Sequence, residues 1–180
     1  MQTFISLLRG INVSGKNTIK MEVLKQLASN LNFTQVQTYI QSGNLLFQSE
    51  ELDEKHLSNR IQHAIKAELG LVVPVLTLSA TTFESIVNQC PFTQAEEQAQ
   101  LYISFFDSIP TTPNNAQILE KVTPEERLAF SDSAAYLVAT QGYGRTKITN
   151  ALFEQKLDLI ATTRNYKTCI KLIELAHTMQ

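Results

Sequence analysis

Apolar residues fall into two rhythms along this chain, and the change from one to the other predicts its elements. Phe4 to Leu8 form a short apolar run that reads as a strand over 3–8. Met21, Leu24, Leu27, Ala28 and Leu31 then recur at helical spacing and predict a helix over about 20–31. VQTYIQSGNLLFQS holds two β-rich runs around Ser42-Gly43-Asn44, a hairpin signal. Leu57, Ile61, Ala64, Ile65 and Leu69 place a second helix at about 53–69, stopped by Gly70. LVVPVLTLS reads as a strand, and Pro74, which has no N–H for a ladder, assigns it to an edge or a bulge. A short helix at about 80–89 ends before Pro91.

That order, βαββαβ, is the ferredoxin-like arrangement, with an antiparallel or mixed sheet. The polar stretch PFTQAEEQAQ then supplies a linker at about 92–99, after which the pattern restarts. LYISFFD is a strand, PNNAQILEKV a helix halted before Pro124, and RLAFSDSAAYLVAT a hairpin. Two helices follow at about 148–158 and 164–178, the last one capped by Thr162 or Thr163. The expectation is an α+β chain of two subdomains, residues 1–92 and 99–180, the second ordered βαββαα. FISLL resembles YISFF, and YIQSGNLLF resembles FSDSAAYLV, which hints at internal duplication.

Composition narrows the class without naming a function. The chain has 180 residues, 43% of them hydrophobic and 18% charged, with a formal net charge of -2. Those values describe an ordinary globular protein and call for neither nucleic acid nor an anionic membrane. Two cysteines, Cys90 and Cys169, are too few for a disulfide scaffold and lack metal-ligand spacing. No apolar stretch approaches the roughly 20 residues of a spanning helix, so a soluble, cytoplasmic protein is expected.

Charge is nevertheless unevenly placed. Residues 1–20 carry Arg9, Lys16 and Lys20 and no acid. Residues 143–171 carry Arg145, Lys147, Lys156, Arg164, Lys167 and Lys171 against Glu154 and Asp158. Between 84 and 126 seven acids face Lys121 alone. Such blocks are either solvated faces or an anion-attracting surface.

The first basic block contains RGINVSGKN, residues 9–17, which spells Gly-x-x-x-x-Gly-Lys as in a phosphate-cradling loop. Three features argue against a nucleoside triphosphatase. Asn17 stands where a metal-binding hydroxyl belongs, Ile11 and Val13 resist left-handed backbone, and the hairpin at 42–44 points to an antiparallel sheet. A milder use survives. In βαββαβ order this loop and the 42–44 turn share one end of the sheet, so Asn12, Ser14, Lys16 and Asn17 approach Ser42, Gly43 and Asn44, and Arg9 at the head of the loop is a further candidate ligand. Small polar groups, free amides and a helix start suit an anion there. The competing reading is a loop whose Asn and Ser side chains satisfy their own backbone.

The second basic block offers Tyr143, Arg145 and Lys147 in QGYGRTK, and Arg164 and Asn165 in TTRNYKTCIKLIELA. On the helix expected there, Arg164, Lys167 and Lys171 share one face. If both blocks serve one site, Lys16 and Asn17 face Arg145 and Arg164.

LLRGINVSGKNTIKM, TYIQSGNLLF, GYGRTK and TRNYKTCIKLIEL together resemble the bacterial family known as domain of unknown function 1697. The resemblance runs from near residue 3 to near 175. The family pattern has two glycines after INV, where this chain has Ser14-Gly15, and Trp after RN, where it has Tyr166. What the resemblance implies is a two-part α+β fold, without a reaction, cofactor or catalytic residues.

Other chemistry is sparse. His56 and His63 lie on one helix face with no third ligand in reach, so no metal is expected. Glu96-Glu97 and Glu125-Glu126 are adjacent pairs whose side chains point apart, and no nucleophile elbow occurs. No cofactor is expected and no catalytic residue is nominated. The candidate partner is an anionic, phosphate-bearing small molecule. Nucleic acid is the alternative, because the RNA-recognition motif shares the βαββαβ order, although strands one and three offer only Phe4 and Phe47 for stacking. An enzyme of unknown reaction is the third reading.

Overall fold

The computed structural model describes residues 1–111 and 114–179. The chain divides into two compact units, Met1–Glu84 with Lys171–Gln180, and Ser85–Ile170. Each is an α+β unit around its own four-stranded antiparallel sheet.

The first unit runs β1 (Gln2–Leu8), α1 (Met21–Asn30), β2 (Thr34–Tyr39), β3 (Asn44–Ser49), α2 (Glu54–Leu69) and β4 (Val75–Ser79), and α3 (Ala80–Asn88) begins in it. Its strand order is β2-β3-β1-β4. The FISLL run is continuous rather than alternating because both faces of β1 are buried. Phe4 and Leu8 point to a core with Phe47, Leu24, Leu57, Ile61 and Ile65, while Ile5 and Leu7, on the opposite face, are also fully buried. Asp53 starts α2 by accepting the His56 N–H at 2.8 Å. Gly70 ends it in the left-handed region at φ 67°, as the sequence predicts. Pro74 immediately precedes β4, which is an edge strand, so its missing N–H costs no ladder bond.

The second unit runs α4 (Ala95–Gln98), β5 (Leu101–Phe106), α5 (Asn115–Leu119), β6 (Glu126–Phe130), β7 (Ala134–Ala139), α6 (Asn150–Leu157) and β8 (Ala161–Asn165), with strand order β6-β7-β5-β8. The helix expected over PNNAQILEKV is shorter, and its first residue, Pro113, lies outside the described residues. The last helix, α7, covers Tyr166–His177. Residues 161–165 correct the expected helix start at 164, since they form β8 and pair antiparallel with β5. Their polar sequence, ATTRN, reads as a cap because the partner that makes them a strand is about 60 residues away. The true cap is Asn165, whose Oδ1 accepts the Thr168 N–H at 2.8 Å.

With β8 recognised, the two units repeat one plan of strand order and pairing. Ser6 of β1 bonds Thr77 of β4 at 2.7 Å, and Ser104 of β5 bonds Thr163 of β8 at 2.7 Å. Both pairs are direct cross-strand partners. Two residues after each threonine a side chain caps the next helix: Ser79 Oγ accepts the Thr82 N–H, and Asn165 does so for α7. These matched details extend the likeness of FISLL to YISFF into the structure.

Candidate functional site

Five residues of the loop after β1 take left-handed backbone: Gly10, Asn12, Ser14, Gly15 and Asn17, with φ between 47° and 75°. They alternate around Ile11 and Val13, so the β-branched residues are spared the conformation they resist. Ser14 and Gly15 occupy the centre of a tight turn closed by the Lys16 N–H on Val13 O at 2.9 Å. Positive φ at both central residues is the mirror-image turn that suits a hairpin. A second bond, Asn12 N–H to Asn17 O at 3.2 Å, extends it into a miniature hairpin. The two glycines of the family pattern fall at the two central positions of that turn.

The Gly-x-x-x-x-Gly-Lys spelling therefore turns a hairpin instead of wrapping phosphate. α1 begins at Met21, beyond Lys16 by a further stretch of loop, and has no side-chain cap. β1 is antiparallel to both its neighbours. Neither feature belongs to a nucleoside-triphosphatase loop.

The loop and the 42–44 turn do meet. The Asn12 side chain donates to Gln41 O at 2.8 Å and to Ile19 O at 2.9 Å, and its Oδ1 accepts the Ile19 N–H at 2.9 Å. Leu8 N–H reaches Gly43 O at 2.8 Å. Gly43 sits at φ 82°, and a Cβ there would lie 2.7 Å from Ile11 Cδ1 and 2.8 Å from Leu8 Cβ, so only glycine permits this approach. Asn17 donates to Gly10 O at 3.1 Å, and buried Asn44 donates to Tyr39 O at 2.9 Å and Ser42 Oγ at 3.1 Å. Asn12, Asn17, Gly43 and Asn44 are thus braces of the scaffold. What they hold outward is the exposed tip Val13 to Lys16; Lys20 and Ser42 are also exposed, and Arg9 is half-buried.

The second basic block spreads over three environments. Gly142 turns the chain at φ 85° into a single 3₁₀ turn over Tyr143–Arg145. Tyr143 OH donates to Thr163 Oγ1 at 3.1 Å and its ring packs on Tyr102 with centroids 5.1 Å apart, so it too is structural. Arg145 lines a cavity of about 100 Å³ together with Glu125 and Glu126, carboxylates that work against an anion there. Lys147 is exposed. Arg164 does not share a helix face with Lys167 and Lys171, because it lies in β8, where it is 9% exposed. Burial lowers its pKa to about 10, and at neutral pH it remains a buried cation donating to Thr163 O at 2.9 Å. Asn165 is the α7 cap. Lys16 and Asn17 belong to the first unit, and Arg145 and Arg164 to the second.

Among the described residues no group of three His, Cys, Asp or Glu side chains is placed to hold a metal, and no helix is long and apolar enough to cross a membrane. His56 Nδ1 pairs with Glu51 at 2.9 Å and His177 Nε2 with Glu84 at 3.0 Å, both at the surface. Cys169 is fully buried, which pushes its thiol up to about 12. Cys90 is half-buried and also raised by burial. Neither has thiolate character for catalysis.

The sequence reading passes over a cavity of about 380 Å³ in the first unit, at the end of the sheet opposite the loop. Its walls include Phe33, Gln48, Glu50, Glu51 and Arg60, drawn from three segments with no common motif, so no local signal marks them.

Three comparisons place the chain among known proteins. The family model described as "Protein of unknown function (DUF1697)" matches residues 1–136. A solved structure of a conserved bacterial protein from Streptococcus pneumoniae is similar over 97% of this chain and 98% of its own, with a TM-score of 0.73 and 24% identity. At that identity the likeness establishes the shared fold. No curated protein matches.

Proposed function

The chain belongs to the DUF1697 family of proteins of unknown function, and we propose from the geometry of its first loop that it is a cytoplasmic binding protein for a phosphate-bearing or other anionic small molecule. The observation that carries this reading is the braced, exposed tip. A segment with no acid from residue 1 to 20 presents Lys16 on a tight turn, and Lys20 is also exposed. The Asn12 bond to Gln41 fixes that tip to the neighbouring hairpin, so little loop ordering opposes binding. Lysine acts here as a point charge on an oxygen anion. We take each βαββαβ unit to be ferredoxin-like, the scaffold on which such a loop end sits.

Nucleic acid is less well supported. An RNA-recognition sheet stacks bases on aromatics of an open face. Here Ile5, Leu7 and Leu46, on the face away from α1 and α2, are fully buried. A thermal-shift panel of nucleotides, sugar phosphates and short oligonucleotides at low salt tests both readings. A small anion should raise the melting temperature, and K16A with K20A should abolish the rise. A response confined to oligonucleotides with steep salt dependence would transfer the function to nucleic acid. No response from any anion ends the anion reading.

A further inference from the structure

The cavity at the far end of the first unit's sheet carries opposite charges held apart. Arg60 is fixed on two sides: its guanidinium lies over the Phe33 ring at 5.0 Å, and one NH₂ donates to Leu31 O at 2.7 Å. Phe33 is in turn stacked on Phe47, with centroids 4.1 Å apart, so the cation rests on an immobile aromatic base. Glu51 is fixed as well. Its Oε1 accepts the Asp53 N–H at 3.0 Å and its Oε2 pairs with His56. The Asp53 N–H and then His56 hold this carboxylate below its usual range, so it is ionised at neutral pH. Glu50, exposed beside it, adds a second carboxylate.

Arg60 shares the cavity with these two carboxylates, yet among the described residues its guanidinium makes no ion pair with either. Two opposite charges left apart in one concavity are complementary to a molecule that carries both. A simple anion would meet Glu50 and Glu51, and a simple cation would meet Arg60, each at a like-charge cost. A zwitterion suffers neither. The volume, about 380 Å³, lies near the lower end of the range for small-ligand sites, which runs from about 300 to 1,000 Å³.

We propose that this cavity binds a zwitterionic small molecule of the free α-amino-acid class, its carboxylate on the remaining N–H groups of Arg60 and its ammonium toward Glu50 and Glu51. Arg60 supplies the planar fork that a carboxylate fits. Asn32, Thr34 and Ser49, which also line the cavity, add neutral polar side chains. The site is separate from the 9–17 loop, at the other end of the same strands, and stands whether or not the loop binds anions.

The test is a titration of the isotope-labelled full chain with the common free L-amino acids, read from backbone amide shifts, with acetate and methylamine as single-charge controls. At least one amino acid should give saturable shifts at Phe33, Gln48 and Glu50, with both controls binding at least about tenfold more weakly, a difference of about 1.4 kcal/mol. E50Q and R60Q should each weaken binding by about the same factor. Glu50 is exposed, so E50Q remains decisive even where R60Q disturbs the Phe33 stack. The proposal is overturned by absence of saturable shifts at those amides, by acetate binding as well as its amino-acid counterpart, or by affinity unchanged in E50Q. Shifts confined to residues 12–16 belong to the loop site and count against this one.

Discussion

Asn12 closes on Ile19 in both directions, its Oδ1 taking the Ile19 N–H and its Nδ2 giving to the Ile19 carbonyl, each at 2.9 Å. The side chain thereby acts as a strand edge for Ile19, and the same nitrogen reaches Gln41 O at 2.8 Å. Asn12 also sits at φ 54°, a conformation Asn tolerates better than most residues.

Asn12→Ala should therefore lower stability by about 2–4 kcal/mol, combining lost hydrogen bonds with a left-handed Ala. Asn12→Gly should recover the backbone part and still lose the bonds, falling between the two. Urea unfolding of the three proteins gives the order. If Asn12→Ala unfolds like wild type, the residue is free for a ligand rather than a brace.

Ser14 carries a different strain. At φ 50° it fills a turn position where the family pattern has glycine. Left-handed backbone costs an ordinary residue roughly 1–2 kcal/mol, partly offset by the extra chain entropy of glycine. Ser14→Gly should stabilise by up to about 1 kcal/mol, a rise of about 2–4 °C in Tm for a chain of this size. A fall in Tm would mean that the Ser14 side chain makes a contact worth more than the strain.

Much of this was legible from the chain itself, and the exceptions share a cause. The rhythms of FISLL, of Leu24 to Leu31 and of Leu57 to Leu69 report local periodicity, and the elements follow them. The meeting of loop and turn followed from topology alone. β8 stayed hidden because Thr162, Thr163 and Arg164 become a strand only through pairing with β5. Arg164 is expected on a solvated helix face for the same reason, whereas in β8 it pairs with Ile103 of β5 and is buried. The Arg60 cavity left no trace, since charge, ring and carboxylates come from separate segments.

Cys169 makes stability depend on alkaline pH. Burial raises its thiol from an ordinary 9.0 to about 12, so above pH 9 the unfolded chain loses a proton that the folded chain keeps. The stabilising contribution is complete below pH 9 and is lost as pH rises toward 12. Arg164, lowered by burial to about 10, acts with the opposite sign, but only above that pH. Cys90, also raised by burial, acts with the same sign, so between pH 9 and 10 the difference between wild type and Cys169→Ala reports Cys169. Tm should fall there in wild type and fall less in Cys169→Ala, and parallel slopes would remove Cys169 from the account.

The repeated Ser–Thr pair offers a comparison between the units. Ser6 and Thr77 are both buried and bonded at 2.7 Å, so Ser6→Ala strands the Thr77 hydroxyl and Thr77→Val strands Ser6. Each single change should cost about 1–3 kcal/mol. The double change strands nothing and should cost well under the sum, a coupling on the order of 1 kcal/mol. In the second unit Thr163 has more company, for Tyr143 OH donates to it at 3.1 Å and it reaches Asn150 Oδ1 at 2.6 Å. Thr163→Val therefore leaves Ser104, Tyr143 and Asn150 without this partner and should cost more than Thr77→Val. Ser104→Ala should cost less than Ser6→Ala, because Thr163 keeps its other bonds. Equal costs across the two units would show that the pair, and not its surroundings, decides the energy, and the asymmetry argued from Tyr143 and Asn150 would be wrong.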